Sequence, residues 1–168
     1  MTKQSSPGSA RSIGWSARDV AVTPQPHRES LPIGDDGSSA VFKSNTFLWI
    51  LQWAFGVYFI VIGVLHFVVP EGLPAPMEWM YDLSDTLHII SGTAEILGGI
   101  GLILPGLTRI RPELTVYAAG GLALVMVGAI IYHAARGEAS NTVTNIAIAA
   151  IMGYLAYARW KLTPIAGR

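Results

Sequence analysis

Residues 86–104 read TLHIISGTAEILGGIGLIL, an apolar stretch long enough to cross a bilayer, with one carboxylic acid, Glu95, near its middle. Four residues share one face at helical spacing: His88, Gly92, Glu95 and Gly99. An ionisable side chain is costly in hydrocarbon, so we expect Glu95 to face protein and to have a partner. The neighbouring glycines allow a second helix to approach closely. This face therefore predicts where the other helices pack.

The composition is typical of a small membrane protein. The 168 residues are 51% hydrophobic and only 13% charged, with a mean hydropathy of +0.45, whereas a soluble domain has about 25% charged residues. The net charge is zero and no basic patch occurs, which argues against a nucleic-acid partner. The chain has no cysteine, which excludes thiol nucleophiles, disulfides and iron–sulfur ligation by its own residues.

Apolar segments and helix breakers predict an all-α fold, an integral membrane antiparallel four-helix bundle at residues 45–161. The four predicted spans cover about residues 46–69, 86–105, 113–135 and 142–160. Pro70 is expected to end the first span and Pro105 the second, while Pro112 is expected to begin the third helix. The acidic segment 70–85 predicts a short amphipathic helix on the membrane surface.

The flanking segments are polar. Residues 1–44 are rich in Ser, Pro, Gly and Arg, which predicts a cytoplasmic tail that is disordered or is ordered by a partner. Residues 162–168 form a short C-terminal tail. The cations on the tail side of the spans include Arg28, Lys43, Arg109, Arg111, Arg159, Lys161 and Arg168. The opposite side has only Arg136, so the positive-inside rule predicts the inner (cell) membrane with both termini in the cytoplasm.

Each predicted span brings one polar group to the same end of the bundle. These groups are His66, His88, His133 and Asn145. Glu95 lies deeper than His88, by roughly 10 Å at 1.5 Å per residue. The pattern predicts one polar pocket, formed by these four residues and Glu95.

Several interpretations of this pocket are open. Glu95 and His66 are the candidates for chemistry because a carboxylic acid and an imidazole can hold and transfer a proton. Imidazoles and a carboxylate also bind metals or haem, although no metal site is assigned, and a quinone head group requires hydrogen-bond donors in an apolar slot. Alternatively, Glu95 only bonds to His66 and locks the helices together. His88 and His133 are then ordinary interfacial residues.

Several motifs resemble those of the DoxX-like membrane protein family, over about residues 46–161. The middle motif is GTAEILGGIGLILPGLTR at residues 92–109, and Gly63-x-x-His66-Phe67 precedes it. Looser similarities are Gly128…His133…Arg136-Gly137-Glu138 and Ala156-Tyr157…Arg159-Trp160. The resemblance implies a four-helix integral membrane fold. His66 matches a position where family members often carry Lys or His, and Glu95 matches the acid of the second helix.

The resemblance implies a redox-associated or quinone-facing role, because some relatives look like the membrane subunit of a thiosulfate:quinone oxidoreductase. The first hypothesis is an accessory subunit that docks on a larger membrane complex. The expected partners are the lipid bilayer and either another membrane protein or further copies of the same chain in a homo-oligomer. The alternative is a quinone- or proton-handling oxidoreductase subunit that uses Glu95 and His66. A small-solute carrier is the third hypothesis. It is the least favoured, because four spans without an internal repeat leave little room for alternating access. No complete catalytic set is present, so an enzyme is not the first expectation.

Overall fold

The structure, a computed structural model, describes residues 37–168, and these residues are helical, with no strand among them. The elements are α1 (Gly37–Lys43), α2 (Asn45–Val68), a 3-10 helix (Ala75–Asp82), α3 (Asp85–Thr108), α4 (Leu114–Ala135), α5 (Ala139–Tyr157) and a π-helical turn (Ala158–Leu162). The prediction of a disordered tail covers residues 1–44. Residues 37–43 form α1, and residues 1–36 lie outside the described part.

Helices α2, α3 and α4 have the length and the apolar composition needed to cross a bilayer. The all-α class and the membrane character predicted from the sequence are therefore confirmed. Helix α5, with 19 residues, does not meet the same criteria. A fourth span stays a prediction.

Two helix boundaries differ from the expected ones. Helix α3 does not stop at Pro105 but continues to Thr108. A proline removes one backbone hydrogen bond, yet neighbouring helices tolerate it in apolar surroundings, where ending the helix would leave more backbone groups unpaired. Helix α4 begins at Leu114 rather than at Pro112, with Glu113 at the N-cap position.

Helices α2 and α3 pack through pairs of glycines. A Cβ atom on Gly99 would lie 2.5 Å from the Gly56 carbonyl oxygen, and one on Gly63 would lie 2.8 Å from the Gly92 carbonyl oxygen. Gly56, the earlier glycine in α2, meets Gly99, the later glycine in α3, and Gly63 meets Gly92. The two helices therefore run antiparallel. Because the backbones are in contact, no side chain larger than hydrogen fits at these positions.

A buried network holds the end of the helices opposite to the histidines. Arg159 is 2% exposed, although the sequence places it among the cations of the membrane surface. Its guanidinium donates to Gln52 Oε1 at 2.5 Å and to Asn45 Oδ1 at 2.7 Å. Gln52 Nε2 donates to the carbonyl oxygen of Leu102 at 2.7 Å. This network ties the π-helical turn that follows α5 to α2, and α2 to α3.

Candidate functional site

The structure brings Glu95 and His66 together between α2 and α3. Both side chains are buried, with 5% and 4% of their surface exposed, and His66 Nε2 lies 3.6 Å from Glu95 Oε2. His66 comes from the last turns of α2, where the antiparallel arrangement sets it against the first half of α3. The acid thus has an imidazole beside it, at a distance slightly longer than a hydrogen bond.

His66 also contacts a second histidine. Its Nδ1 lies 2.9 Å from His88 Nδ1, and His88 Nε2 lies 3.0 Å from the carbonyl oxygen of Met80. His88 is the first buried residue of α3 and is 9% exposed. Met80 belongs to the 3-10 helix, which therefore reaches the two histidines from the loop that joins α2 and α3.

Trp79 of the 3-10 helix lies between two of the histidines. Its ring centroid is 5.7 Å from that of His66 and 5.0 Å from that of His133, which is almost fully buried at the end of α4. Reasoning from the sequence did not include Trp79 among the site residues. The available signal was an aromatic residue in an amphipathic segment directly before the helix that carries His88 and Glu95.

A cavity of about 270 Å³ lies between α3 and α4, next to Glu95. Its polar lining residues are His66, Trp79, Ser91, Glu95, Tyr132 and His133. The rest of its wall is apolar or glycine. Leu87, Ile90 and Leu124 belong to this wall and are exposed apolar side chains, so the cavity meets the surface at an apolar stretch.

Two buried polar atoms on this wall have no hydrogen-bond partner among residues 37–168. They are Glu95 Oε2 and the hydroxyl oxygen of Tyr132. Buried polar groups are nearly always paired, and an unpaired one costs about 1–3 kcal/mol. Both atoms belong to residues that line the same cavity, which makes this cavity the part of the described structure best suited to a polar ligand group.

The other two predicted pocket residues lie elsewhere. His88 lines a second, more open cavity of about 390 Å³, together with His66, Tyr81 and Asp85. Asn145 lines neither of these cavities, and its side-chain amide donates to the carbonyl oxygen of Asn141 at 2.9 Å. Of the five residues predicted as one pocket, four thus line two cavities that share His66, and Asn145 lines neither.

An ionic cluster lies beside the first cavity, outside the spans. Arg136 donates to Glu138 at 2.6 Å and to Asp82 of the 3-10 helix at 2.5 Å, and His133 Nδ1 lies 2.6 Å from Glu138. The hydrogen bond from Arg136, followed by that from His133, lowers the pKa of Glu138 from 4.5 to about 2. The hydrogen bonds to Glu138 and then to Asp82 raise the pKa of Arg136 above its ordinary value. The cluster joins the 3-10 helix to the loop between α4 and α5.

The histidines and Glu95 have side chains of the types that bind metal ions. Within residues 37–168, no group of three or more His, Cys, Asp or Glu side chains has an arrangement that could hold a metal ion.

Comparison with known proteins identifies the family. The model of the DoxX-like family matches residues 50–155, which extend from α2 into α5. The chain belongs to the DoxX-like family. The resemblance inferred from the glycine and acid motif of α3 is thereby confirmed. No curated protein and no solved structure matches the chain.

Proposed function

We propose that this DoxX-like protein binds a small amphipathic molecule of the quinone type in the cavity between α3 and α4. The two unpartnered polar atoms on an otherwise largely apolar wall, Glu95 Oε2 and the Tyr132 hydroxyl, carry this proposal. A quinone has carbonyl oxygens that accept hydrogen bonds and an apolar ring. In the complex, Tyr132 donates to one of these oxygens. When a partner protein supplies electrons and reduces the quinone, Glu95 with His66 gives the head group one of the two protons that it takes up, and oxidation of the quinol returns that proton.

The surroundings of the cavity fit a ligand that arrives from the bilayer. Its surface-facing wall includes the exposed apolar side chains of Leu87, Ile90 and Leu124, so a lipid-soluble molecule meets no polar barrier. Trp79 supplies an aromatic surface next to His66 and His133. A polar or charged solute would lose its hydration at the apolar wall, which makes the solute-carrier hypothesis less favoured.

The membrane arrangement that accompanies this proposal has four spans, with α5 as the fourth. Helix α5 packs along α4 and ends at the buried Arg159 network, where Trp49 and Trp160 also lie close to cationic groups. The proposed membrane is the inner membrane. Arg109 and Arg111 lie on the side that we propose to be cytoplasmic, and both termini lie on that side too. The cavity then lies in the outer half of the bilayer.

Oxidation or reduction of a quinone needs an electron acceptor or donor, which we assign to a partner protein. This retains the accessory role inferred from the sequence: a membrane subunit that holds a quinone for a larger complex. Residues 1–44, which lie mostly outside the described part, remain the proposed tether. Recovery of the same partners by a chain without residues 1–44 would remove the tether from the proposal.

Binding to the purified protein tests the central claim. A short-chain benzoquinone is titrated into the protein in detergent, and binding is followed by calorimetry. Tyr132→Phe is expected to weaken affinity about five- to tenfold, as for the loss of one hydrogen bond of about 1–1.4 kcal/mol. Glu71→Gln, at an exposed position, is the control and is expected to bind like the wild type. Equal affinity in wild type and Tyr132→Phe, or no binding to the wild type, would contradict the proposal.

Glu95→Gln separates a functional acid from a structural lock. The substitution keeps the size of the side chain but removes the exchangeable acid. If Glu95 handles protons, the variant folds and elutes like the wild type, and its quinone affinity no longer changes with pH. Aggregation of Glu95→Gln with normal behaviour of Glu71→Gln would instead assign Glu95 to holding the helices together.

A further inference from the structure

We infer that His88 is a positioning residue that fixes the orientation and the protonation of His66, and that the pair passes protons between Glu95 and the second cavity. The use of this path for a bound quinone rests on the proposed function. The path itself is drawn from two hydrogen bonds and one 3.6 Å contact that join α2, α3 and the 3-10 helix, and it needs no ligand.

The hydrogen bonds of the histidine pair determine which nitrogen carries each proton. A carbonyl oxygen only accepts, so His88 Nε2, at 3.0 Å from the Met80 carbonyl, carries a hydrogen and donates it. Neutral His88 then has a lone pair on Nδ1. His66 Nδ1, at 2.9 Å from that lone pair, must be the donor. Neutral His66 is therefore protonated on Nδ1 and has its lone pair on Nε2.

This lone pair lies on the side of Glu95. His66 Nε2 and Glu95 Oε2 are 3.6 Å apart, and a carboxylate would present a second acceptor to the imidazole. At rest the contact is attractive when Glu95 is protonated and donates to Nε2, and proton passage begins when that proton moves to His66.

The proton transfer balances along the chain of nitrogens. Glu95 gives its proton to His66 Nε2, His66 gives its Nδ1 proton to His88 Nδ1, and His88 releases its Nε2 proton to water. The net change is one proton moved from Glu95 to water, and the reverse sequence reloads the acid. His66 lines both cavities and His88 lines only the second, more open one, so the two side chains span the wall between the cavities.

Other titratable groups surround this path and have to be considered in its pH response. From the neighbouring elements these are Tyr58 of α2, Tyr81 of the 3-10 helix, Asp85 of α3 and His133 of α4. His133 is the useful control, because it lines the first cavity but bonds to Glu138 and not to the histidine pair.

The first test reads the tautomer directly. The protein with ¹⁵N-labelled histidine is reconstituted in lipid vesicles without ligand, and solid-state NMR detects which ring nitrogens carry hydrogen. Signals are assigned by replacing each of the four histidines in turn. His66 is expected to be protonated on Nδ1 and His88 on Nε2, and His88→Leu is expected to return His66 to a tautomer mixture. His66 protonated on Nε2 in the wild type would overturn the inference.

The second test measures proton passage. Infrared spectroscopy follows the carbonyl stretch of protonated Glu95 after transfer to D₂O, with Glu95→Gln to assign the band. His88→Gln retains one donor and one acceptor but cannot relay a proton, and it is expected to slow the exchange at least tenfold. His133→Gln is expected to exchange like the wild type. Equal rates in His88→Gln and wild type, or the absence of a Glu95 band, would overturn the inference. Neither measurement uses quinone, so their failure is distinct from failure of the proposed function.

Discussion

The two sides of α3 differ in how closely they pack. Toward α2, the glycine pairs Gly56–Gly99 and Gly63–Gly92 bring the two backbones into contact, and Gln52 and His66 add a polar link at each end. Toward α4, Gly98 and Gly101 pack against the side chains of Leu122 and Ala118 rather than against backbone, and a cavity of about 270 Å³ remains beside Glu95. Within residues 37–168 no side-chain hydrogen bond joins α3 to α4. One helix thus has a rigid face and a face with space for a ligand.

This difference between the two sides shows how Glu95 can be held in a fixed position and still be accessible to a ligand in the cavity. Glu95 shares its face with Gly92 and Gly99, which pack against α2 and fix the position of α3. The cavity lies on the other side of Glu95, along Ser91 and Ala94. Close packing on one side is therefore compatible with a binding site on the other, because the rigid interface sets the geometry from which the acid meets the cavity.

The largest expected effect comes from breaking the closely packed side. Gly99→Leu places a side chain where even a Cβ atom would lie 2.5 Å from the Gly56 carbonyl oxygen. We expect a loss of about 3 kcal/mol in the free energy of unfolding, the upper part of the usual range for overpacking. Reversible unfolding in detergent measures it. Gly153→Leu, where a Cβ atom meets nothing within 4 Å, is the matched control and should unfold like the wild type. Equal stability of the two variants would refute the rigid interface.

The polar link at the far end of the same interface is expected to have the next largest effect. Gln52→Leu removes the bond to the Leu102 carbonyl and leaves the buried Arg159 Nε without its acceptor. We expect a loss of about 2 kcal/mol, because an unsatisfied buried group loses its hydration without compensation. The double variant Gln52→Leu/Arg159→Met should lose less than the sum of the two single losses. Strict additivity would show that the two side chains act independently.

Filling the cavity tests the open side. A Cβ atom on Gly128 meets nothing within 4 Å, and Gly128 lines the cavity, so Gly128→Leu adds bulk there without a clash. We expect benzoquinone affinity to fall at least tenfold, about 1.4 kcal/mol, with the unfolding free energy unchanged or slightly raised. Calorimetric titration of Gly128→Leu beside Gly153→Leu measures this. Unchanged affinity in Gly128→Leu would place the ligand elsewhere or remove it.

Much of the fold could be predicted from the sequence, and less of the site. The periodicity of apolar residues and glycines locates α2, α3 and α4 because burial in a bilayer demands long apolar helices. The prediction that the second span ends at Pro105 was wrong. The energetic cost of a proline inside a helix depends on the neighbouring helices, which the sequence does not reveal. The site depends on distances across helices. The spacing of residues placed Asn145 with the histidines, whereas the Asn145 amide donates a hydrogen bond within α5. The same reasoning omitted Tyr132 and Trp79, which line the cavity.

The smallest expected effect concerns the ionic cluster that joins the 3-10 helix to the open side. Because Arg136 lowers the pKa of Glu138 from 4.5 to about 2, the ionised carboxylate stabilises the folded state above pH 4.5, and this contribution is lost as the pH falls toward 2. Glu138→Gln should therefore lower stability at pH 7 by less than about 1 kcal/mol, since the groups are partly solvated. The difference from wild type should disappear near pH 2. Unfolding midpoints across this pH range measure it, with exposed Glu71→Gln as the control. A difference that persists at pH 2 would show that packing, rather than charge, holds the 3-10 helix beside the cavity.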